Sequence, residues 1–261
     1  MTAFQPKLVA LDVDGTIVDE RNQLTAPVRE AVRGLAARGL EVVISTGRAI
    51  PGVLDVVDKL GLDGRHAVAS NGAVVLAHPP VDILHTVTFD ASEAVRRVLA
   101  EMPDAIVAVE ELGTGYRVSR PFPTGEINGT IVVEDVESLI ADPVVRVIIR
   151  SPDHAPEEFG EIVRSLGLDD TSYYIGYDAW LDLAPQGVSK AYGLEVLCER
   201  LGVDRSEVLA VGDGNNDVEM LQWAGRGVAM GQAPDLLKDV ADDVTGSIHE
   251  DGLLTELQRY L

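Results

Sequence analysis

The sequence predicts an α/β fold in which a Rossmann-like, parallel-sheet core is split by an inserted α+β domain. Residues 1–79 and 186–261 alternate short apolar strands with amphipathic helices, which is typical of a parallel sheet covered on both faces. Residues 80–185 instead contain short β-like runs with few helices between them, which is typical of a mostly antiparallel sheet. We therefore predict a core domain of residues 1–79 and 186–261, and an inserted domain of residues 80–185.

The core elements are marked by apolar periodicity and by glycine or proline at their ends. The run 8–13 is almost continuously apolar, and Thr25-Ala26-Pro27 supplies a hydroxyl and a first-turn proline before the next helix. The predicted strands are 8–13, 42–45, 67–70, 208–211 and 227–230, and the predicted helices are 28–36, 53–60, 188–201, 220–224 and 253–257.

The inserted domain is predicted between two proline-containing segments. These are His78-Pro79-Pro80 and Ala184-Pro185-Gln186-Gly187, which interrupt helix and strand patterns alike. Between them we predict helices near 92–102 and 156–166, and strands at 106–109, 116–118, 131–133, 144–149, 173–177 and 180–183.

Composition restricts the kinds of partner that this chain can bind. The formal net charge is -22, from 43 acidic and 21 basic residues, which argues against binding nucleic acid or an anionic membrane surface. No apolar run reaches the roughly 18–20 residues that span a bilayer, and no signal peptide is evident. The single cysteine, Cys198, excludes an internal disulfide bond. We therefore expect a cytoplasmic protein whose partner is a small molecule.

Asp12 and Asp14 are the most informative pair of residues. They are spaced i, i+2 at the end of an apolar strand, where open α/β sheets bind ligands. Two neighbouring carboxylates repel each other, and they persist where a metal ion, another cation or a shared proton offsets that repulsion. Taken alone, the pair fits a solvated Asp-Gly turn equally well.

Other polar segments follow predicted strands, and a lysine opens a predicted helix. These are Ser45-Thr46-Gly47-Arg48, Asn71-Gly72, Asp213 to Asp217, and Lys190 in the first turn of the helix 188–201. Each by itself also fits a helix cap, a turn, a solvated loop or a lysine that extends into water. Together they favour phosphoryl transfer, because carboxylates can attack phosphorus, move protons and hold Mg²⁺ while hydroxyl, amide and ammonium groups bind phosphate oxygens.

The order of these motifs resembles the haloacid dehalogenase (HAD) superfamily. The matching segments are DVDGT at 12–16, STGR at 45–48, GVSKAYGL at 187–194 and GDGNND at 212–217. Asn71-Gly72-Ala73 is similar to the Cof-type, sugar-phosphatase-like branch. The resemblance covers the whole chain and implies a C2-type α+β cap inserted between the third core strand and the lysine motif.

The resemblance also implies a role for each matching residue. Asp12 corresponds to the nucleophile and Asp14 to the general acid and base. Mg²⁺ binding is implied for the Asp12 carboxylate, the backbone carbonyl of Asp14 and the Asp213 carboxylate. Asn216 and Asp217 are expected to complete the acidic shell around the ion, directly or through water. Phosphate binding is implied for Thr46, Gly47 and Lys190, and Asn71 and Arg48 are expected to face the phosphate or the substrate.

Three functions are consistent with this motif set. The first is a Mg²⁺-dependent phosphatase that hydrolyses a small soluble phosphate monoester, such as a sugar phosphate, a nucleotide or a cofactor-precursor phosphate, through an aspartyl-phosphate. The second is a phosphomutase or phosphotransferase that uses the same intermediate. The third, a non-catalytic phosphate-binding protein, is disfavoured because a binder has no need of both Asp12 and Asp14. An acid at position 14 favours hydrolysis over dehalogenation.

Overall fold

The chain is divided into two compact units, each described here by itself. The structure is a computed structural model that describes residues 4–62, 65–168, 170–176 and 178–261. The first unit comprises the chain up to Gly47, Val53–His85 and Ser189–Leu261, and the second comprises Arg48–Gly52 and Thr86–Val188. The α/β fold with a Rossmann-like core and an α+β insertion is confirmed. The predicted domain limits at 79/80 and 185/186 stay predictions.

The described elements alternate between strands and helices along most of the chain. The strands are β1 (Leu8–Leu11), β2 (Glu41–Ser45), β3 (Arg65–Ala69), β4 (Val74–His78), β5 (Asp82–Thr86), β6 (Ile106–Glu111), β7 (Gly115–Val118), β8 (Thr130–Val133), β9 (Val147–Arg150), β10 (Thr171–Ile175), β11 (Trp180–Pro185), β12 (Val208–Gly212), β13 (Arg226–Ala229) and β14 (Asp243–Val244). The helices are α1 (Ala26–Ala37), α2 (Ile50–Leu60), α3 (Ser92–Glu101), α4 (Val136–Leu139), α5 (Pro156–Ser165), α6 (Lys190–Leu201), α7 (Val218–Trp223), α8 (Asp235–Val240) and α9 (Gly252–Leu257). Among the described residues, no helix is both long and apolar enough to cross a membrane.

The first unit is built on a sheet with the strand order β14-β13-β12-β1-β2-β3-β4-β5. Neighbouring strands from β14 to β3 run parallel, and β4 runs antiparallel to β3. Every residue of β1 is fully buried, which explains the continuous apolar run in the sequence. Because β1 lies between β12 and β2, Asp12 lies at the carboxyl end of a strand in the middle of the sheet.

Three strands of this sheet were not predicted from the sequence, namely β4, β5 and the two-residue strand β14. After β3 the chain turns through Ser70–Gly72 and returns as β4, and β5 then forms the edge of the sheet. The residues of β5 are half-buried or exposed, so they carry little of the apolar pattern that predicts a strand. The His78-Pro79-Pro80 segment, predicted as a boundary, begins with the last residue of β4 and continues into the turn before β5.

The second unit is built on a sheet with the strand order β10-β11-β9-β6-β7-β8. Its described pairs are antiparallel except β7 with β8, which run parallel. Alternate residues of the central strands, such as Val107 and Leu181, pack with Val95 of α3 and Phe159 of α5 in one buried cluster. The strand predicted at 173–177 is observed two residues earlier, as β10, and Tyr177 lies outside the described residues.

Gly72 determines how closely the start of α6 approaches the turn after β3. Its φ is +99°, and a Cβ at this position would lie 1.9 Å from the carbonyl oxygen of Ser189. Ser189 caps α6, because its hydroxyl accepts a hydrogen bond from the N–H of Tyr192 at 3.3 Å. The next residue is Lys190, so this contact sets the height of the lysine relative to the strand ends.

We expect Gly72→Ala to destabilise the protein by about 3 kcal/mol. Left-handed backbone costs a non-glycine residue roughly 1–2 kcal/mol, and the overlap with Ser189 adds a packing cost. Gly187→Ala is the matched control, because Gly187 has a φ of +74° and no heavy atom within 4 Å of the added Cβ. The control should cost only about 1 kcal/mol. Equal losses in urea-induced unfolding would show that the contact with Ser189 is unimportant.

Candidate active site

The carboxyl ends of three neighbouring strands lie side by side in the first unit's sheet. Because β12, β1 and β2 are neighbours and run parallel, the residues that follow them emerge side by side. Asp213 follows β12, Asp12 follows β1 and Thr46 follows β2. The N–H of Asp12 still donates to the carbonyl of Val211 at 3.0 Å, so the sheet ladder holds its backbone in place.

Lys190 lies between two buried carboxylates. Its Nζ is 2.5 Å from Asp12 Oδ1 and 2.7 Å from Asp217 Oδ1, and its side chain is fully buried. Burial alone would lower the pKa of Lys190, but attraction to Asp12 and Asp217 outweighs it and holds the pKa above its ordinary value. Lys190 is therefore a permanent cation, and it reaches the site from the first residue of α6.

One lysine does not offset the whole negative charge of this site. Single carboxylate oxygens of Asp12, Asp213 and Asp217 lie within 4.8 Å of one another. Burial, followed by repulsion from Asp217, raises the pKa of Asp12 well above its usual range despite the opposing effect of Lys190. The same two causes raise the pKa of Asp213 to about 6. The cluster can therefore hold a metal ion or a shared proton.

Asp217 organises this cluster through both of its carboxylate oxygens. Oδ1 accepts from Lys190, while Oδ2 accepts the backbone N–H groups of Asp213 at 3.0 Å and Gly214 at 2.9 Å. A Cβ at Gly212 would lie 2.4 Å from Asp217 Cγ, so glycine is required for the loop to fold back on this carboxylate. Asp217 thus shapes the 212–217 loop and orients the lysine at the same time.

Asp14 and Gly15 bring the turn after β1 close to Asp213. The Asp14 side chain is exposed and is not among the three grouped carboxylates, whereas Asp12 is only 5% exposed. Gly15 has a φ of +81°, and a Cβ there would lie 2.0 Å from Asp213 Oδ2. Only glycine allows this approach, which explains why it follows Asp14.

Thr46, Gly47, Asn71 and Asn216 lie together beside this cluster. The carbonyl of Thr46 accepts the N–H of Asn71 at 3.0 Å, and Asn216 Nδ2 donates to Asn71 Oδ1 at 2.9 Å. Asn71 is buried in a left-handed conformation, and a Cβ at Gly47 would lie 3.0 Å from its Oδ1. The predicted residues of three separate segments are thus linked by hydrogen bonds.

Arg48 belongs to the second unit, and its role beside a phosphate stays a prediction.

Gln232 was not identified from the sequence, yet its Nε2 donates to the carbonyl of Gly15 at 2.6 Å and to Asp213 Oδ2 at 3.1 Å. The available signal was its position shortly after β13, a further strand that ends at the same sheet edge.

The parallel-sheet core and this cluster are consistent with an enzyme that acts on phosphate groups, and comparison with known families shows that the protein is a phosphatase. The chain belongs to the haloacid dehalogenase-like hydrolases, whose family model matches residues 9–257. Within them it is a Cof-type HAD phosphatase.

Similar proteins cover the chain almost from end to end. A 5-amino-6-(5-phospho-D-ribitylamino)uracil phosphatase, YitU of Bacillus subtilis, is 30% identical over 98% of this chain and 98% of its own length. A phosphoglycolate phosphatase of Haloarcula marismortui is 31% identical over 100% of this chain and 99% of its own. The solved structure of the HAD subclass IIB sugar phosphatase BT4131 is 25% identical, covers 97% of this chain and 98% of its own, and has a TM-score of 0.81.

We expect Lys190→Met to destabilise the metal-free protein by about 3 kcal/mol at pH 7. Removing the lysine leaves Asp12 and Asp217 buried without their cation, and an uncompensated buried charge costs roughly 3–5 kcal/mol. Asp12 and Asp213 have raised pKa values and can take up protons in place of the lost cation. The decrease in the free energy of unfolding should therefore be smaller at pH 5 than at pH 7.

The control for this measurement is Lys7→Met. Lys7 pairs with Glu207 at the surface and its side chain is 62% exposed, so its removal should cost less than about 1 kcal/mol. Urea-induced unfolding in the presence of a chelator measures both variants. A loss for Lys190→Met that is the same at pH 5 and pH 7 would contradict the electrostatic explanation.

Proposed function

We propose that this protein is a Mg²⁺-dependent phosphatase that hydrolyses a small soluble phosphate monoester through an aspartyl-phosphate on Asp12. The observation that carries this proposal is the Asp12 carboxylate held 2.5 Å from the buried Lys190 ammonium, with Asp213 and Asp217 beside it. The phosphatases among its relatives support the reaction class. The cytoplasmic location expected from the sequence is part of the same proposal.

The proposed reaction has two displacements at phosphorus. In the first, a carboxylate oxygen of Asp12 bonds to phosphorus, the ester P–O bond breaks, and Asp14 donates a proton to the departing alcohol. In the second, Asp14 takes a proton from water, the water oxygen bonds to phosphorus, and the bond to Asp12 breaks to release phosphate. The exposure of Asp14 supports its role, because the group has to exchange protons with substrate and water.

Several donors are proposed to bind the phosphate oxygens. Lys190 supplies a permanent positive charge. Thr46 supplies a hydroxyl and Gly47 a backbone N–H at the end of β2. Asn71 supports the same role, because its buried Nδ2 has no hydrogen-bond partner within the described parts of the chain. A buried amide donor without a partner is costly, and a phosphate oxygen would satisfy it.

The donor set fits Mg²⁺. When all three grouped carboxylates are ionised they carry three negative charges, of which Lys190 offsets one, and hard oxygen ligands are those that Mg²⁺ prefers. We propose that the Asp12 carboxylate, the Asp14 carbonyl and Asp213 hold the ion, with Asn216 and Asp217 around it. When bound, the ion reduces the repulsion between the carboxylate and the phosphate dianion.

The substrate class is proposed from the relatives. Phosphoglycolate, the ribitylaminouracil phosphate and sugar phosphates are named in the relatives and differ in their organic parts, but each carries a phosphate monoester on a small soluble molecule. The strongly acidic chain repels anions at a distance, so the fixed cation Lys190 gains importance for binding such a group.

We expect Asp12→Asn to reduce phosphate release by at least about a thousandfold, because an amide oxygen is a poor nucleophile at phosphorus. The measurement is release of inorganic phosphate from p-nitrophenyl phosphate with Mg²⁺, repeated with EDTA in excess. Chelation should abolish the wild-type activity, and added Mg²⁺ should restore it. Full activity in EDTA, or in Asp12→Asn, would overturn the mechanism, and transfer to an added alcohol with little free phosphate would identify a phosphotransferase.

We expect Asp14→Asn to separate the two displacements. A nitrophenolate leaves without a proton, so this variant should release about one equivalent of it in a rapid burst and then turn over about a hundredfold more slowly than wild type. An alkyl phosphate, whose leaving group needs the proton, should give no burst. The control is Glu20→Gln, which removes an exposed acid of the same segment and should leave both substrates unaffected. Equal slowing of the first step with both esters would contradict the role of Asp14.

A further inference from the structure

Gln232 connects three parts of the first unit through one side chain. Its Nε2 donates to the Gly15 carbonyl at 2.6 Å and to Asp213 Oδ2 at 3.1 Å, and its Oε1 accepts the N–H of Ile248 at 3.0 Å. These partners lie after β1, after β12 and ahead of α9. A single carboxamide therefore joins the turn that carries Asp12 and Asp14 to the loop that carries Asp213.

The chemistry of the partners fixes the orientation of this carboxamide. The Gly15 carbonyl and the Asp213 carboxylate can only accept hydrogen bonds, so both require the NH₂ group. The Ile248 N–H can only donate, so it requires the oxygen. Only one of the two amide orientations satisfies all three partners. Glutamate would present an oxygen to two acceptors, and a hydrophobic residue would satisfy none of them.

Asp213 needs such a restraint because its surroundings repel it. It lies close to Asp12 and Asp217, whose carboxylates repel it. Gln232 Nε2 donates to Asp213 Oδ2 and so holds this oxygen in place. On the other side, Gly15 lies so close that a Cβ would be 2.0 Å from Asp213 Oδ2. The Asp213 carboxylate is thus confined between Gly15 and Gln232.

We propose that Gln232 is a positioning residue for the divalent metal, which holds the Asp213 carboxylate and the Gly15 carbonyl at a fixed separation before the ion binds. This inference rests on the proposed function, since it assumes that Asp213 and the 12–16 turn hold Mg²⁺. Gln232 acts through Asp213 and the turn, so its loss changes the affinity for the ion. Loss of a side chain that hydrogen-bonds to a metal ligand typically weakens metal binding by roughly 10–100-fold.

The test is the dissociation constant of Mg²⁺ for Gln232→Met, measured by calorimetry on the whole protein without substrate. Methionine keeps the length of the side chain and removes its three hydrogen bonds. We expect binding about tenfold weaker than in wild type. Gln232→Asn, one methylene shorter, should also weaken binding because it cannot reach all three partners. Gln258→Met is the matched control at an exposed position near the C-terminus and should bind Mg²⁺ like wild type.

A second measurement distinguishes positioning from a purely structural role. Gln232 is exposed, so the thermal midpoint of the metal-free Gln232→Met protein should stay within about 2 °C of wild type. An unchanged Mg²⁺ dissociation constant, with or without a lower midpoint, would overturn the inference and leave the proposed function intact. A wild-type protein that binds no Mg²⁺ would overturn the proposed function and this inference together.

Discussion

The mutual repulsion of three neighbouring carboxylates, two of them buried, is the constraint on which the rest of the site depends. Asp12, Asp213 and Asp217 converge at one sheet edge, and charges in such a place persist only when other charges or hydrogen bonds compensate them. Lys190 compensates one charge directly. The remaining negative charge is the reason for proposing a divalent cation at this site, since such an ion would offset the repulsion between the carboxylates and a phosphate group.

The parallel sheet explains how residues far apart in the sequence come to share this site. Lys190 is 178 positions from Asp12, yet their side chains are in contact. Strand order brings the ends of β12, β1 and β2 together, and the close contact between Gly72 and Ser189 sets the start of α6 beside them. The chain from β6 to β11 forms a separate sheet, while the strand ends of the first unit are held by contacts within that unit.

Much of the fold and of the candidate site could be predicted because both follow from periodic patterns. The carboxyl ends of parallel strands lie side by side, so the polar residues that follow them were expected to be neighbours. The structure brings Asp12, Thr46, Lys190 and Asp213 together at these strand ends. The edge strand β5 was not predicted because its partly exposed residues lack a strong apolar pattern. Gln232 was not predicted because its position after β13 is only a weak signal for a neutral, exposed side chain, and its three hydrogen bonds are visible only in the structure.

The environments of Asp12 and Asp14 differ more than their spacing suggests. Asp12 is almost fully buried, so its carboxylate depends on Lys190 and has a restricted direction of approach, which suits a nucleophile. Asp14 is two residues away but exposed, so it can exchange protons freely, which suits an acid and base. The turn at Gly15 produces this difference, because it directs the backbone toward Asp213 while the Asp14 carboxylate stays outside the three-carboxylate group. One short turn thus places two identical side chains in different surroundings, one buried and one exposed.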